Sequence, residues 1–151
     1  MRRSIVRGLA LTLLAGFFAV AAWSQSGDTI LAGTGANGAA ILTDARGMTL
    51  YIFTKDPNGK SVCNGGCAKA WPPFHASTIS VSPPLSAADF GSIVRDDGTP
   101  QTTFRGWPLY YWFKDKQPGD MTGQGVGKVW YVVDPAKLAA KVATPPKSGA
   151  W

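Results

Sequence analysis

Polar and apolar positions in this chain alternate over short stretches separated by turn residues, a pattern that predicts strands far more than helices. The strongest stretch is 48–55. Tyr51, Phe53 and Lys55 fall on one side of it, and Leu50, Ile52 and Thr54 on the other. Apolar groups on both sides predict a central strand covered on both faces. Residues 109–114 have the same character, with Tyr110 and Trp112 opposite Leu109, Tyr111 and Phe113. Shorter strands are expected over 39–43, 92–95, 101–104 and 129–133. Asp44-Ala45-Arg46-Gly47, Asp56-Pro57-Asn58-Gly59 and Asp96-Asp97-Gly98 carry turn chemistry between them. Helical expectations are slight: one turn at 68–71 stopped by Pro72-Pro73, a Ser86-capped turn over 87–90, and a short helix over 135–142. Residues 25–38 form a flexible lead-in with room for one short strand at Ile30-Leu31. Residues 117–128 form a glycine-rich loop, and 144–151 a disordered tail.

The two strong stretches belong to a repeat. Residues 46–71 lie on 105–130 without a gap, at an offset of 105 − 46 = 59. Arg46-Gly47, Leu50-Tyr51, Lys55-Asp56, Gly66, Lys69 and Trp71 meet identical residues, and Phe53 meets Trp112. Solenoids and propellers need about three or more units, so two units predict a different architecture. The expected fold is mainly β, one small domain over 39–134. It is built from two related β-hairpin repeats, about 39–74 and 92–133, with approximate internal two-fold symmetry. Only short helical turns accompany them, and the strands meet in one shared aromatic core.

Composition supports this picture. All nine acidic residues are Asp, and Gly and Pro are frequent, as in a turn-rich β protein. Arg2, Arg3 and Arg7 precede an apolar run over 9–23 that is short for a bilayer span and ends in small residues. Residues 1–24 are therefore expected to be a signal peptide cut after Ser24. The mature chain then has 151 − 24 = 127 residues, and its formal charge falls from +6 to +3. That charge, without a Lys/Arg cluster, argues against nucleic acid. No stable membrane anchor is expected after cleavage, and the expected location is periplasmic or secreted.

Candidate chemistry centres on two sets. Tyr51, Phe53 and Asp56 match Tyr110, Trp112 and Asp115. Their aromatic faces suit a flat or sugar-like ligand, but strand alternation and turn geometry explain all six as core rings and strand-end carboxylates. Cys63 and Cys67, the only cysteines, suit a disulfide in an exported chain. They also suit copper, with His75, Met48 or Met121 as further donors, or a redox-active pair, although Cys-x-x-Cys is the expected redox spacing. His75 is the only histidine, which excludes a zinc His pair and gives no basis for a Ser-His-Asp triad. The glycine-rich loop lacks the Gly-Lys-Ser/Thr ending of a phosphate loop, and Asp115 and Asp120 lack calcium-loop spacing.

Tyr51-Ile52-Phe53-Thr54-Lys55-Asp56 and Tyr110-Tyr111-Trp112-Phe113-Lys114-Asp115 both fit Tyr-x-(Phe/Trp/Tyr)-x-x-Asp. With Cys63-x-x-x-Cys67-Ala68, Trp71-Pro72-Pro73, Gly106-Trp107-Pro108 and Pro118-Gly119-Asp120, the chain resembles a bacterial secreted-repeat family of unknown function. Its members are often described as predicted lipoproteins with this motif. The resemblance covers about 39–133 and implies export and fold. It does not extend to lipidation, because no cysteine follows the apolar run. The expected function is an exported, non-catalytic cell-envelope binding or accessory domain; its partner is unknown, an envelope protein being one candidate. The alternative is a periplasmic copper-binding or electron-transfer protein using Cys63 and Cys67.

Overall fold

A computed structural model of the chain describes residues 29–141. The signal-peptide reading over 1–24 and the tail over 144–151 lie outside these residues. Inside them the protein is mainly strand, in eight short pieces that make three small sheets.

In the first repeat, β1 (Thr29–Thr34) and β2 (Ala40–Asp44) form an antiparallel hairpin with Ile30 opposite Asp44. The stretch read as a lead-in thus holds a full six-residue strand, because Ile30 is buried in the core. After a turn comes β3 (Tyr51–Phe53), then the five-residue helix α1 (Gly66–Ala70), and β4 (Ser80–Val81), which lies parallel to β1. In the second repeat, β5 (Phe90–Val94) and β6 (Pro100–Phe104) form the matching hairpin, with Phe90 opposite Phe104. β7 (Trp107–Pro108) pairs with β6, and β8 (Trp130–Val132) pairs with β3. Ser86 caps a 3-10 turn over Ala87–Asp89, its hydroxyl accepting from the Ala88 amide.

The two-fold relation is visible bond by bond. Tyr51 and Tyr110 exchange both backbone hydrogen bonds, at 2.9 and 3.0 Å, so the two motif segments meet on the symmetry axis. Val133 donates to the Leu50 carbonyl as Phe74 donates to that of Leu109. Thr54 donates to Val129 as Phe113 donates to Ala70. Each of these pairs is related by the offset of 59. The hairpins are offset by 60 instead, since β2 and β6 share one burial pattern at 40–44 and 100–104. The extra residue sits in the first turn, where the Asp44 carboxylate accepts from the Arg46 and Met48 amides and Gly47 closes the turn at φ 80°.

The expected strand over 109–114 is not a strand. Its partner segment carries Pro72-Pro73, which have no N–H to donate, so only bridges at Tyr110 survive where β3 and β8 form a ladder. The expected helix over 135–142 is also absent from the described residues. Residues 135–137 make a turn, and the backbone beyond is held by side chains: Arg105 donates to the Pro135 and Leu138 carbonyls, and Trp107 to that of Ala139. These contacts outweigh the weak helical preference of a short segment.

The single aromatic core expected from the repeat is two cores. Leu50 and Ile52 face an aliphatic cluster with Leu42, Phe74, Phe104, Leu109 and Val133. Tyr51 and Phe53, on the opposite face of the same strand, enter an aromatic cluster with Trp71, Tyr110, Trp130 and Cys63. Alternation along one strand divides the interior in two.

Candidate functional site: the crossed tyrosine–aspartate centre

The two tyrosines and two aspartates of the motif gather about the two-fold axis, with their bonds crossed between repeats, and Phe53 and Trp112 stand at the two ends of a ring column. The Tyr51 hydroxyl donates to Asp115 Oδ2 at 2.6 Å, and the Tyr110 hydroxyl donates to Asp56 Oδ2 at 2.6 Å. Each aspartate is placed by its own turn, with the Asp56 amide donating to Phe53 and the Asp115 amide to Trp112. The other carboxylate oxygen gathers the following loop: Asp56 Oδ1 accepts from the Val62 amide, and Asp115 Oδ1 from the Thr122 amide and hydroxyl. An acceptor fixed by each turn and a tyrosine on the axis place each hydroxyl on the carboxylate of the other repeat.

Each tyrosine oxygen also has a second neighbour. Ser61 Oγ lies 2.7 Å from the Tyr110 oxygen, and the Gly123 amide donates to that of Tyr51. Gly123 is buried, and a Cβ there would lie 2.8 to 3.0 Å from the rings of Trp71, Tyr51 and Trp112, so only glycine fits. Behind Ser61 stands Arg95, buried and unremarked in the sequence. It donates to Ser61 Oγ at 2.8 Å, Gln101 Oε1 at 2.6 Å and the Cys63 carbonyl at 2.6 Å. No motif spacing marks Arg95; its neighbour Asp97 in the hairpin turn, 3.7 Å from Nε, is the only local signal.

Burial raises the Tyr51 and Tyr110 hydroxyls above the ordinary phenol range, and the bonded carboxylates add to it. Burial likewise raises the Asp56 carboxyl, against the opposing pull of Tyr110 and the Val62 amide. A carboxyl raised in the folded state stabilises the fold most fully below its unfolded pKa, and that contribution is lost as pH rises through the folded value. Asp97, Asp120 and Asp134 are lowered and act in the opposite sense. Comparison with Asp56→Asn isolates the first effect. The stability of the wild type relative to Asp56→Asn should decline as pH rises from about 4 toward neutrality. Urea midpoints of both proteins across that range check it; a constant difference would show that Asp56 has no shifted proton.

The rings form a column. Phe53, Trp130, Trp71 and Trp112 stack in that order, with centroids 4.3, 3.9 and 4.0 Å apart. Tyr51 meets Trp71 edge-on at 5.4 Å, and Tyr110 meets Trp130 at 5.1 Å. Faces of Trp71 and Trp130 that a flat ligand would use are occupied by other rings.

Cys63 and Cys67 form a disulfide, with Cα atoms 5.2 Å apart. It pins the loop entering α1, whose end places Trp71 through the Trp71 amide bond to the Cys67 carbonyl. Thiolates are the donors that the copper reading requires, and the disulfide ties up both sulfurs. Among the described residues no group of three or more His, Cys or Asp side chains gathers in metal-binding range. His75 is exposed, Met48 is half-buried, and Met121 packs over Gly35.

A separate cleft of about 540 Å³ opens on the aliphatic side, lined by Ile52, Trp107, Tyr131, Val132 and Leu138, with Thr54, Gln124 and the Asp134–Lys137 ion pair among its polar groups. Sequence reasoning missed it, since its walls come from both repeats and the segment after them.

Among the described residues no helix is long and apolar enough to cross a membrane. No curated protein and no solved structure matches the chain. A family model described as a secreted repeat of unknown function matches residues 32–75 and 91–134. The two matches stand apart by 91 − 32 = 59 residues, the offset found within the chain itself. Together they span more than half of its length, and the chain belongs to this family of secreted repeats of unknown function.

Proposed function

We propose that the chain works after export, in the periplasm or outside the cell, as a non-catalytic binding domain. It would take a small amphipathic molecule, free or presented by an envelope partner, in the cleft between Trp107 and Tyr131. The observation that carries this is the internal use of the conspicuous chemistry. Both motif tyrosines and aspartates bond each other, both cysteines are paired, and the central tryptophans are stacked. Recognition then falls to the surface, and the cleft is a formed hollow on it. Its volume lies in the range of small-molecule sites, roughly 300–1,000 Å³. Its apolar floor and polar side chains favour a ligand with an apolar body and a polar end.

Leu138→Asp tests this, because it places a charge on the half-buried cleft wall at the margin of the aliphatic core, and circular dichroism and the urea midpoint check that the variant stays folded. An apolar fluorophore such as anilinonaphthalene sulfonate should bind the folded protein and lose at least about tenfold in affinity in the variant, a loss of about 1.4 kcal/mol. Equal binding by the two proteins would remove the cleft from consideration.

A further inference from the structure

The ring column joins two features that ordinary packing does not require together. Its three indoles are in face contact, Trp130, Trp71 and Trp112, with centroid spacings of 3.9 and 4.0 Å. Two phenols touch it edge-on, and each has a carboxylate 2.6 Å from its hydroxyl. We propose that this column is a relay for single oxidising equivalents, passing them from the partly exposed Trp112 to the buried Tyr51 and Tyr110.

The chemistry follows from the residue types. Indole and phenol are the most readily oxidised aromatic side chains, whereas the phenyl ring is not oxidised under comparable conditions. Trp112 and Phe53 are the matched ends of the column, so the repeats differ at the point where a port would be made. Only the Trp112 end can accept an oxidising equivalent. The Trp112 Nε1 hydrogen is buried without an acceptor, so the oxidised indole has no ready base for its proton. The Lys114 ammonium, 5.9 Å from the Trp112 ring, further disfavours positive charge at the port and drives it inward.

A strong one-electron oxidant from outside takes one electron from Trp112, leaving the radical cation. Trp71 refills Trp112, and Tyr51 refills Trp71. As Tyr51 loses its electron, its phenolic proton passes to Asp115 Oδ2 along the existing hydrogen bond. The oxidant is reduced by one electron, Tyr51 becomes a neutral radical, and Asp115 becomes a neutral carboxyl. Through Trp130 the same sequence ends at Tyr110 and Asp56. Without the carboxylate the phenol would have to become a cation in a buried site, which is costly. The crossed bonds therefore have a use beyond holding the repeats together. Activity of this kind is independent of what the cleft binds.

The probe is tris(bipyridine)ruthenium(III), generated by a laser flash beside the full-length protein with persulfate as sacrificial acceptor. Transient absorbance and electron paramagnetic resonance should show a tryptophanyl signal that gives way to a tyrosyl signal. Trp112→Phe, which keeps a ring in the column, should slow tyrosyl formation about tenfold. Adding Phe53→Trp to that variant should restore the rate by opening the opposite end, which no purely structural role would do. Near-ultraviolet circular dichroism checks that both variants keep the aromatic core. An unchanged rate in Trp112→Phe, or no recovery with Phe53→Trp, would overturn the relay. Should Trp112→Phe not fold, the wild type decides: a tryptophanyl radical that decays without yielding tyrosyl overturns it equally.

Discussion

Trp71→Ala should lower the stability of the domain by about 3–5 kcal/mol, the range for a buried Trp or Phe cut to Ala. Trp71 is 4% exposed and sits in the middle of the column, in face contact with Trp130 and Trp112 and edge contact with Tyr51. Its removal leaves a hole where the two repeats meet, and the flanking rings are held by strands that cannot close it. Domains of this size have roughly 5–15 kcal/mol in all, so the loss is a large part of the total. Trp130→Ala should match it in size, because Trp130 occupies the equivalent place at 5% exposure. Urea denaturation should show lower midpoints with an unchanged slope. The double variant should cost less than the sum, since the two rings share one contact. A cost below about 1 kcal/mol for either single variant would mean that the column is not the core it resembles.

Arg95→Met should cost about as much, roughly 3–5 kcal/mol, although no motif includes it. The methionine fills the space of the aliphatic stem but strands Ser61 Oγ, Gln101 Oε1 and the Cys63 carbonyl, all bonded to the guanidinium. The guanidinium comes from the end of the second repeat's hairpin and fastens the cysteine loop of the first. The disulfide in Arg95→Met should accordingly be reduced faster by dithiothreitol, because its loop has lost its anchor. Arg95→Lys should fall between the two proteins, since one ammonium cannot reproduce the planar fork. Wild-type stability in both variants would show that water replaces the guanidinium at no cost.

Much of this fold was legible in the linear pattern. Leu50, Tyr51, Ile52 and Phe53 alternate, and the alternation is a backbone property that no neighbour has to supply. The offset of 59 forced equivalent residues into equivalent places, and Tyr51 with Tyr110, and Trp71 with Trp130, occupy them. The Asp44 turn and the Ser86 cap follow from short-range hydrogen bonds between residues two to four apart. The cysteine spacing was compatible with a disulfide, and the structure forms it.

Only the tertiary structure decided the rest. Sequence gives each motif a tyrosine and an aspartate five residues apart and says nothing of the partner. The crossing of Tyr51 to Asp115 and Tyr110 to Asp56 arises because the two motif segments meet on an axis. The division into two cores depends on what covers each face of β3. The turn over 135–137 and the irregular backbone up to 141, where a helix was expected, depend on Arg105 and Trp107 reaching across from the second repeat. Arg95 and the cleft are likewise products of chain segments far apart in sequence. The dividing line is physical: turns and strand faces are set by bonds and sterics within a few residues. The choice of partner is set by which buried polar group must find an acceptor once distant segments have excluded water.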